Sequence, residues 1–212
     1  MLYSIVGLLV IILDQAVKYW VQNTLFGTDI VKFIPGVISL VNVHNDGAAF
    51  SFLSGSGARI YFIIATGVFT VLVIIALATN FISGKVSRWS LVLVTAGGLA
   101  NCIDRVIYGY VQDMFMFDFA PSFPIFNVAD IFITVFALLF IVMLLAFLIC
   151  VIFTLSAASR TYRAYADAGL PSDYAPRLRY ADRLRASASV YFSLPFLLCT
   201  LLFAAVMILE MR

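Results

Sequence analysis

One stretch of a largely hydrocarbon chain holds Asn101, Asp104, Arg105, Asp113, Asp118, Asn127 and Asp130. On a helix, Asn101, Asp104 and Arg105 stand at i, i+3 and i+4 and share a face. Asn127 and Asp130 do the same at the mouth of the next apolar run, and Asp113 lies in the connection between them. Two carboxylates held together in a water-poor pocket cannot both ionise, so they share one proton. The ionised member can take a proton from water while the protonated one polarises a peptide carbonyl. This is the logic of an aspartic protease, and it requires no metal or cofactor. Asp113 and Asp130 are the expected pair. Asn101, Asn127 and Arg105 would donate hydrogen bonds to substrate carbonyls or to a developing oxyanion. Asp104 would pair with Arg105 or with a nearby helix end and hold the patch in shape.

The rest of the chain says where such a site must sit. Of 212 residues, 64% are hydrophobic and 11% charged, and the mean hydropathy is +1.08. A soluble domain carries about 25% charged residues, so this is the composition of an integral membrane protein, and no nucleic-acid partner is expected. A charged side chain at membrane depth costs roughly 2.5–3.5 kcal/mol, so such groups face the bundle interior and do something there. Hydrogen bonds gluing two helices together would account for one isolated Asn or Asp; they account poorly for this cluster. His44 has no cysteine near it, so a His/Cys metal site is not expected. Cys102, Cys150 and Cys199 lie inside apolar runs, which argues against a disulfide framework. A serine nucleophile without a histidine would need a lysine base, and Lys18 is the only lysine within a span.

Four spans have to position the cluster. Leu2 to Trp20 is close to the ~20 residues that a bilayer core requires. Without a basic n-region or a small-x-small cleavage site, it reads as a span and not a signal peptide. Asp14 and Lys18 lie in its second half at i, i+4, acid first. They read equally as an ion pair snorkelling to the interface or as part of a site. Between Val21 and Gly57 come Pro35-Gly36, a β-like run over Val37–Val43 and a turn at Asn45-Asp46-Gly47, which suggest short strands lying on the membrane. Arg59–Ala78, Trp89–Tyr108 and Ile125–Phe153 are the remaining spans, and 109–124 reads as an aromatic-rich loop. Counting ~1.5 Å per residue from Trp89, Asn101 lies about 18 Å and Arg105 about 24 Å along its helix. Asp130 returns to that depth on the antiparallel fourth span.

Arg160 to Ser189 carries six arginines and reads as an amphipathic or loosely structured segment at an anionic inner surface. Val190 to Leu209 is a fifth apolar run, long enough to span. Orientation follows from the basic loop residues. With the N-terminus in the cytoplasm, Lys85, Arg88 and the six C-terminal arginines lie inside, against Lys32 and Arg59 outside. The polar cluster is then extracytoplasmic.

Five blocks in order resemble the lipoprotein signal peptidases (signal peptidase II) of bacteria: Leu13–Lys18, Asn45–Phe50, Gly97–Arg105, Val111–Met114 and Phe126–Asp130. The resemblance runs from Met1 to about Cys150. It implies a polytopic peptidase of the bacterial inner membrane that cleaves diacylglyceryl-modified prolipoproteins just before the lipidated cysteine. It implies an all-α four-helix transmembrane bundle with a small extracytoplasmic β-cradle and a helix or loop over the site. Asp113 and Asp130 would correspond to the catalytic aspartates. Asn45, Gly47, Asn101, Arg105 and Asn127 would line the substrate and inhibitor pocket, and Asp14, Lys18 and Asp104 would support it. Inhibition by the cyclic peptide globomycin, contact with membrane lipids, a monomeric state and no cofactor are expected. Where the family has Asp-Phe this chain has Asp113-Met114, and a second candidate, Asp118-Phe119, follows five residues on. Asp113 is favoured because it lies nine residues after Asp104, as the family spacing asks.

The family usually ends soon after its fourth span. The expected division is therefore a signal-peptidase-like domain over 1–153 and an additional arginine-rich segment with an extra C-terminal helix over 154–212. The rival reading is a proton-coupled transporter. It would distribute polar residues along a path across the bilayer, whereas here they gather at one side and the second span has none.

Overall fold

The structure, a computed structural model, describes residues 2–25, 30–46, 56–82 and 84–168. It contains helices α1 (Leu2–Thr24), α2 (Ser56–Ala78), α3 (Lys85–Ile107) and α4 (Val128–Asp167), and strands β1 (Val31–Ile34), β2 (Ile38–Asn45) and β3 (Val111–Phe117). The four helices are long and apolar enough to cross a membrane, over Leu2–Thr24, Arg59–Ala78, Lys85–Ile107 and Val128–Phe153. These are the four expected spans, with α1 continuing past Trp20 and α3 beginning before Trp89.

In α1 the buried residues Gly7, Val10, Asp14, Lys18 and Val21 recur at spacings of three and four, a single inward stripe. The other faces expose Leu8, Leu9 and Ile12, side chains suited to lipid. The central helix is α3, with 67% of its span buried against 22% in α1 and α2 and 12% in α4. Small residues make this possible. At Gly97 an added Cβ would fall 2.7 Å from the carbonyl oxygen of Ala129 and 2.8 Å from Cγ1 of Ile133. Below this contact, Leu91 and Val94 pack with Phe69 and Val73 of α2 and with Ile133 and Phe140 of α4.

After Ile107 the Tyr108 amide donates to the Asp104 carbonyl at 2.7 Å, and Gly109, with φ 90°, turns the chain into β3. Glycine suits that left-handed position just beyond a helix end. The three strands form an antiparallel sheet in the order β1-β2-β3. On β2, Asn45 lies opposite Val111 and Val43 opposite Asp113, after a register shift between Leu40 and Val43. Fully buried Met114 packs with Val21 and Leu25 at the end of α1 and with Leu40 of β2.

The strand over 111–117 corrects the expectation of a loop there. Val111, Gln112, Asp113 and Met114 are all buried, so both faces of the strand are covered and no apolar/polar alternation marks it. Beyond β3, Phe126 exchanges backbone hydrogen bonds with Phe115, at 2.8 and 3.1 Å. That single bridge delivers the next residue, Asn127, beside Asp113.

Helix α4 has 40 residues and runs without a break past 153 to Asp167, so Arg160 and Arg163 lie on it. At ~1.5 Å per residue it is about 60 Å long, twice a bilayer core. Gly47 and residues 169–212, which include the fifth apolar run and the other four arginines, lie outside the described residues.

Candidate active site

Helix α4 begins with a reciprocal cap. Oδ1 of Asn127 accepts the Asp130 amide at 2.9 Å, and Oδ2 of Asp130 accepts the Asn127 amide at 3.0 Å. This is a capping box with aspartate in the acidic position. The intervening Ala129 amide donates to Oδ1 of Asp14 at 2.8 Å, so α1 helps to satisfy the start of α4. The second oxygen of Asp130 accepts Nδ2 of Asn101 at 2.8 Å. A carboxylate in the first turn also lies at the positive end of the helix.

Asp113 comes from the sheet. Its Oδ1 accepts Nδ2 of Asn127 at 2.8 Å and its Oδ2 accepts Nδ2 of Asn45, at the end of β2, at 3.0 Å. One residue therefore links both acids, since the side-chain amide of Asn127 serves Asp113 and its backbone amide serves Asp130. Asp113 is 3% exposed and Asp130 8%. Burial, and next the charge of Asp130, push the Asp113 carboxyl up to about 7, against the pull of its Asn45 and Asn127 hydrogen bonds and of Lys18. The arrangement is two buried acids joined through Asn127, with the one on the sheet raised towards neutral pH.

Behind the pair lies an ionic cluster. Nζ of Lys18 is 2.8 Å from Oδ2 of Asp14 and 2.6 Å from Oδ2 of Asp104, and it donates to Oδ1 of Asn101 at 2.9 Å. Of the two readings of Asp14 and Lys18, the structure favours the inward one: the ion pair forms, but both residues are buried in the inward stripe of α1 and do not snorkel. One expectation is corrected here. Asp104 takes Lys18 as its ion-pair partner instead of Arg105, which lies one position around α3 and places its guanidinium 4.6 Å from the centre of the Phe62 ring. Arg105 is buried and also donates from Nη1 to the Asn101 carbonyl at 3.4 Å.

The structure thus gathers Asp113, Asp130, Asn45, Asn101, Asn127, Asp14, Lys18 and Asp104 into one hydrogen-bonded network, with Arg105 at its edge. Asp118 belongs elsewhere. Its carboxylate accepts the Ser39 hydroxyl at 2.5 Å and the Gly36 amide at 3.1 Å, with Lys32 at 3.8 Å, and so ties the sheet together. Gln15 and Gln112 join the network without having been singled out. Nε2 of Gln15 donates to Oδ1 of Asp104 at 2.7 Å, and the Gln112 amide donates to Oδ2 of Asp104 at 3.4 Å. The available signal was position: Gln15 adjoins Asp14 on α1, and Gln112 adjoins Asp113.

Fold and site together define a multi-pass membrane protein with paired acids buried where the bundle meets its sheet. The family described as signal peptidase (SPase) II, Peptidase A8, matches residues 6–147. The lipoprotein signal peptidase of Streptococcus thermophilus strain CNRZ 1066 is 43% identical over 135 residues, 62% of this chain and 84% of the relative. That of Enterococcus faecalis strain V583 is 44% identical over 132 residues, 60% and 78% of the two chains. A solved structure described as a bacterial membrane enzyme, determined by the in meso method at 1.9 Å resolution, aligns with a TM-score of 0.62 and 31% identity, covering 68% of this chain and 92% of that one. The chain belongs to the signal peptidase II family. It is a protease, and the family's activity is the removal of signal peptides from prolipoproteins.

Proposed function

We propose that the chain is an intramembrane aspartic endopeptidase that cleaves diacylglyceryl-modified prolipoproteins just before the lipidated cysteine, with Asp113 and Asp130 as its catalytic pair. The observation that carries this reading is the double use of Asn127, which hydrogen-bonds both acids. One acid of the pair carries the shared proton and polarises the scissile carbonyl, and the other, ionised, takes a proton from the attacking water. The tetrahedral oxyanion is met by the protonated acid and by nearby donors, among which Arg105 is the charged candidate. Proton return to the leaving amine resets the pair.

In this reading Asn45, Gly47, Asn101, Arg105 and Asn127 line the substrate and inhibitor pocket, and Asp14, Lys18 and Asp104 support it. The three-stranded sheet is a cradle for the extended segment around the cleavage site. The basic-residue balance supports a cytoplasmic N-terminus in the bacterial inner membrane and an extracytoplasmic site. The enzyme works as a monomer among membrane lipids, without a cofactor, and globomycin occupies the pocket. Residues 1–153 form the peptidase, and 154–212 are an arginine-rich addition that includes the fifth apolar run.

The test is cleavage of a synthetic diacylglyceryl lipobox peptide by the purified protein in detergent, with and without globomycin. The expected result is a single cut before the lipidated cysteine, blocked by globomycin. Intact peptide, or cleavage indifferent to the lipid, would reject the proposal.

A further inference from the structure

We infer that Lys18 is a positioning residue for the paired acids: its ammonium group sets which way the Asn101 amide faces, and so turns an N–H donor to Asp130 and an acceptor to the Asn127 amide that serves Asp113. The inference rests on the reading of Asp113 and Asp130 as the reacting groups. A lysine ammonium has three hydrogens to donate and no acceptor. Here Oδ2 of Asp14 at 2.8 Å, Oδ2 of Asp104 at 2.6 Å and Oδ1 of Asn101 at 2.9 Å take all three.

The third contact decides an orientation. With its oxygen held by Lys18, the Asn101 amide must present Nδ2 on its other side, where Oδ1 of Asp130 lies at 2.8 Å. The reversed amide would set its NH2 against the ammonium and its oxygen against a carboxylate, two repulsive contacts in a dry site. Oδ1 of Asn101 also accepts Nδ2 of Asn127 at 3.1 Å, and that Nδ2 donates to Oδ1 of Asp113 at 2.8 Å. The remaining amide oxygen, Oδ1 of Asn127, is held by the Asp130 amide at 2.9 Å. Each amide is therefore fixed at both ends, and the chain of contacts starts at the lysine.

The lysine is itself immobilised. Asp14 is anchored through Oδ1 by the Ala129 amide of α4, and Asp104 through Oδ1 by Gln15. The charged groups around Nζ are Asp14 on its own helix and Asp104 on α3, with Asp130 and Asp113 beyond Asn101 and Arg105 farther along α3. A positive charge one amide away from the pair favours its ionised form, and the Lys18 charge does act to lower the Asp113 titration.

Lys18→Met alone would leave the buried Asp14 and Asp104 carboxylates facing each other without a cation, and is expected to fold poorly. The informative pair is therefore Asp104→Asn against Lys18→Met/Asp104→Asn, where the double variant carries the native net charge of the cluster. Both are assayed on the lipobox peptide over a pH series, beside Asp113→Asn. Expected on adding Lys18→Met are a loss in kcat of about 10- to 100-fold, by analogy with outer-shell residues that orient metal ligands, and little change in KM. The acid limb of the pH–rate profile should also move to higher pH, which loss of folded protein alone would not produce. An unmoved limb, whether kcat is retained or reduced, would overturn the role proposed for Lys18. Activity in Asp113→Asn would instead overturn the reading of the pair.

Discussion

Nδ2 of Asn127 donates to Oδ1 of Asp113 at 2.8 Å across 14 residues of sequence, while Asn127 also caps the helix that carries Asp130. A local helix-start motif has thus been used to fix the spacing of two acids from different elements. The two duties can be separated by substitution. Asn127→Ser keeps a capping oxygen but has no amide for Asp113, whereas Asn127→Ala loses both. Asn127→Ala is expected to lose about 1 kcal/mol of stability with its cap, and Asn127→Ser should recover most of that. Neither should recover cleavage. Melting curves and peptide cleavage on the same preparations check this, and an active Asn127→Ser would contradict it.

The raised Asp113 carboxyl makes stability depend on pH. An acid moved from 3.8 to about 7 by folding binds its proton more tightly in the native state. Between those values the native protein holds more protons than the unfolded chain, so stability falls as pH rises through the window. The full loss above it is roughly 4 kcal/mol. Melting temperatures in detergent from about pH 4 to 8 should therefore fall more for wild type than for Asp113→Asn. Parallel curves would show that the carboxyl is not raised.

Gly97 lets α3 pack directly against the backbone of α4, one turn before Asn101 and beside the first turn that holds Asp130. Gly97→Val must push α4 outward, because the obstructing atom is the Ala129 backbone oxygen and not a flexible tip. Overpacking of this kind costs about 1–3 kcal/mol. Cleavage should suffer more than the melting temperature, since the shift falls on the Asn101–Asp130 hydrogen bond. Wild-type cleavage in a folded Gly97→Val protein would contradict the geometry.

Asp118 separates the two candidate acids of 113–118 by experiment. Asp118→Ala leaves the buried Ser39 hydroxyl and the Gly36 amide without their acceptor, which is expected to cost about 1–3 kcal/mol. Its kcat on the lipobox peptide should remain close to wild type once folded protein is counted. Loss of kcat with an unchanged melting temperature would instead place Asp118 in the chemistry.

The spans and the polar cluster were legible because hydropathy and i, i+3, i+4 spacing are local properties of sequence. The cap at Asn127 and Asp130 was legible as a shared face for the same reason. What the sequence concealed depended on partners distant along the chain. Lys18 claims Asp104 from 86 positions away, and nothing near Asp104 distinguishes that pairing from one with Arg105, its neighbour. Strand β3 was hidden because buried Gln112 and Asp113 interrupt the pattern that would have marked it, and their burial is compensated by partners distant in sequence, Asn45 for Asp113 and Asn42 for Gln112. The length of α4 was hidden by composition: after Phe153 the chain turns polar, but Ala, Ser and Arg continue the helix to Asp167.

Cleavage of the diacylglyceryl lipobox peptide by Asp113→Asn and Asp130→Asn, each confirmed as folded by melting in detergent, tests the pairing most directly. Each variant should retain the fold and lose measurable turnover, because an amide can neither take the water's proton nor supply one to the carbonyl. Wild-type turnover in either folded variant would mean that these two side chains do not carry out the hydrolysis.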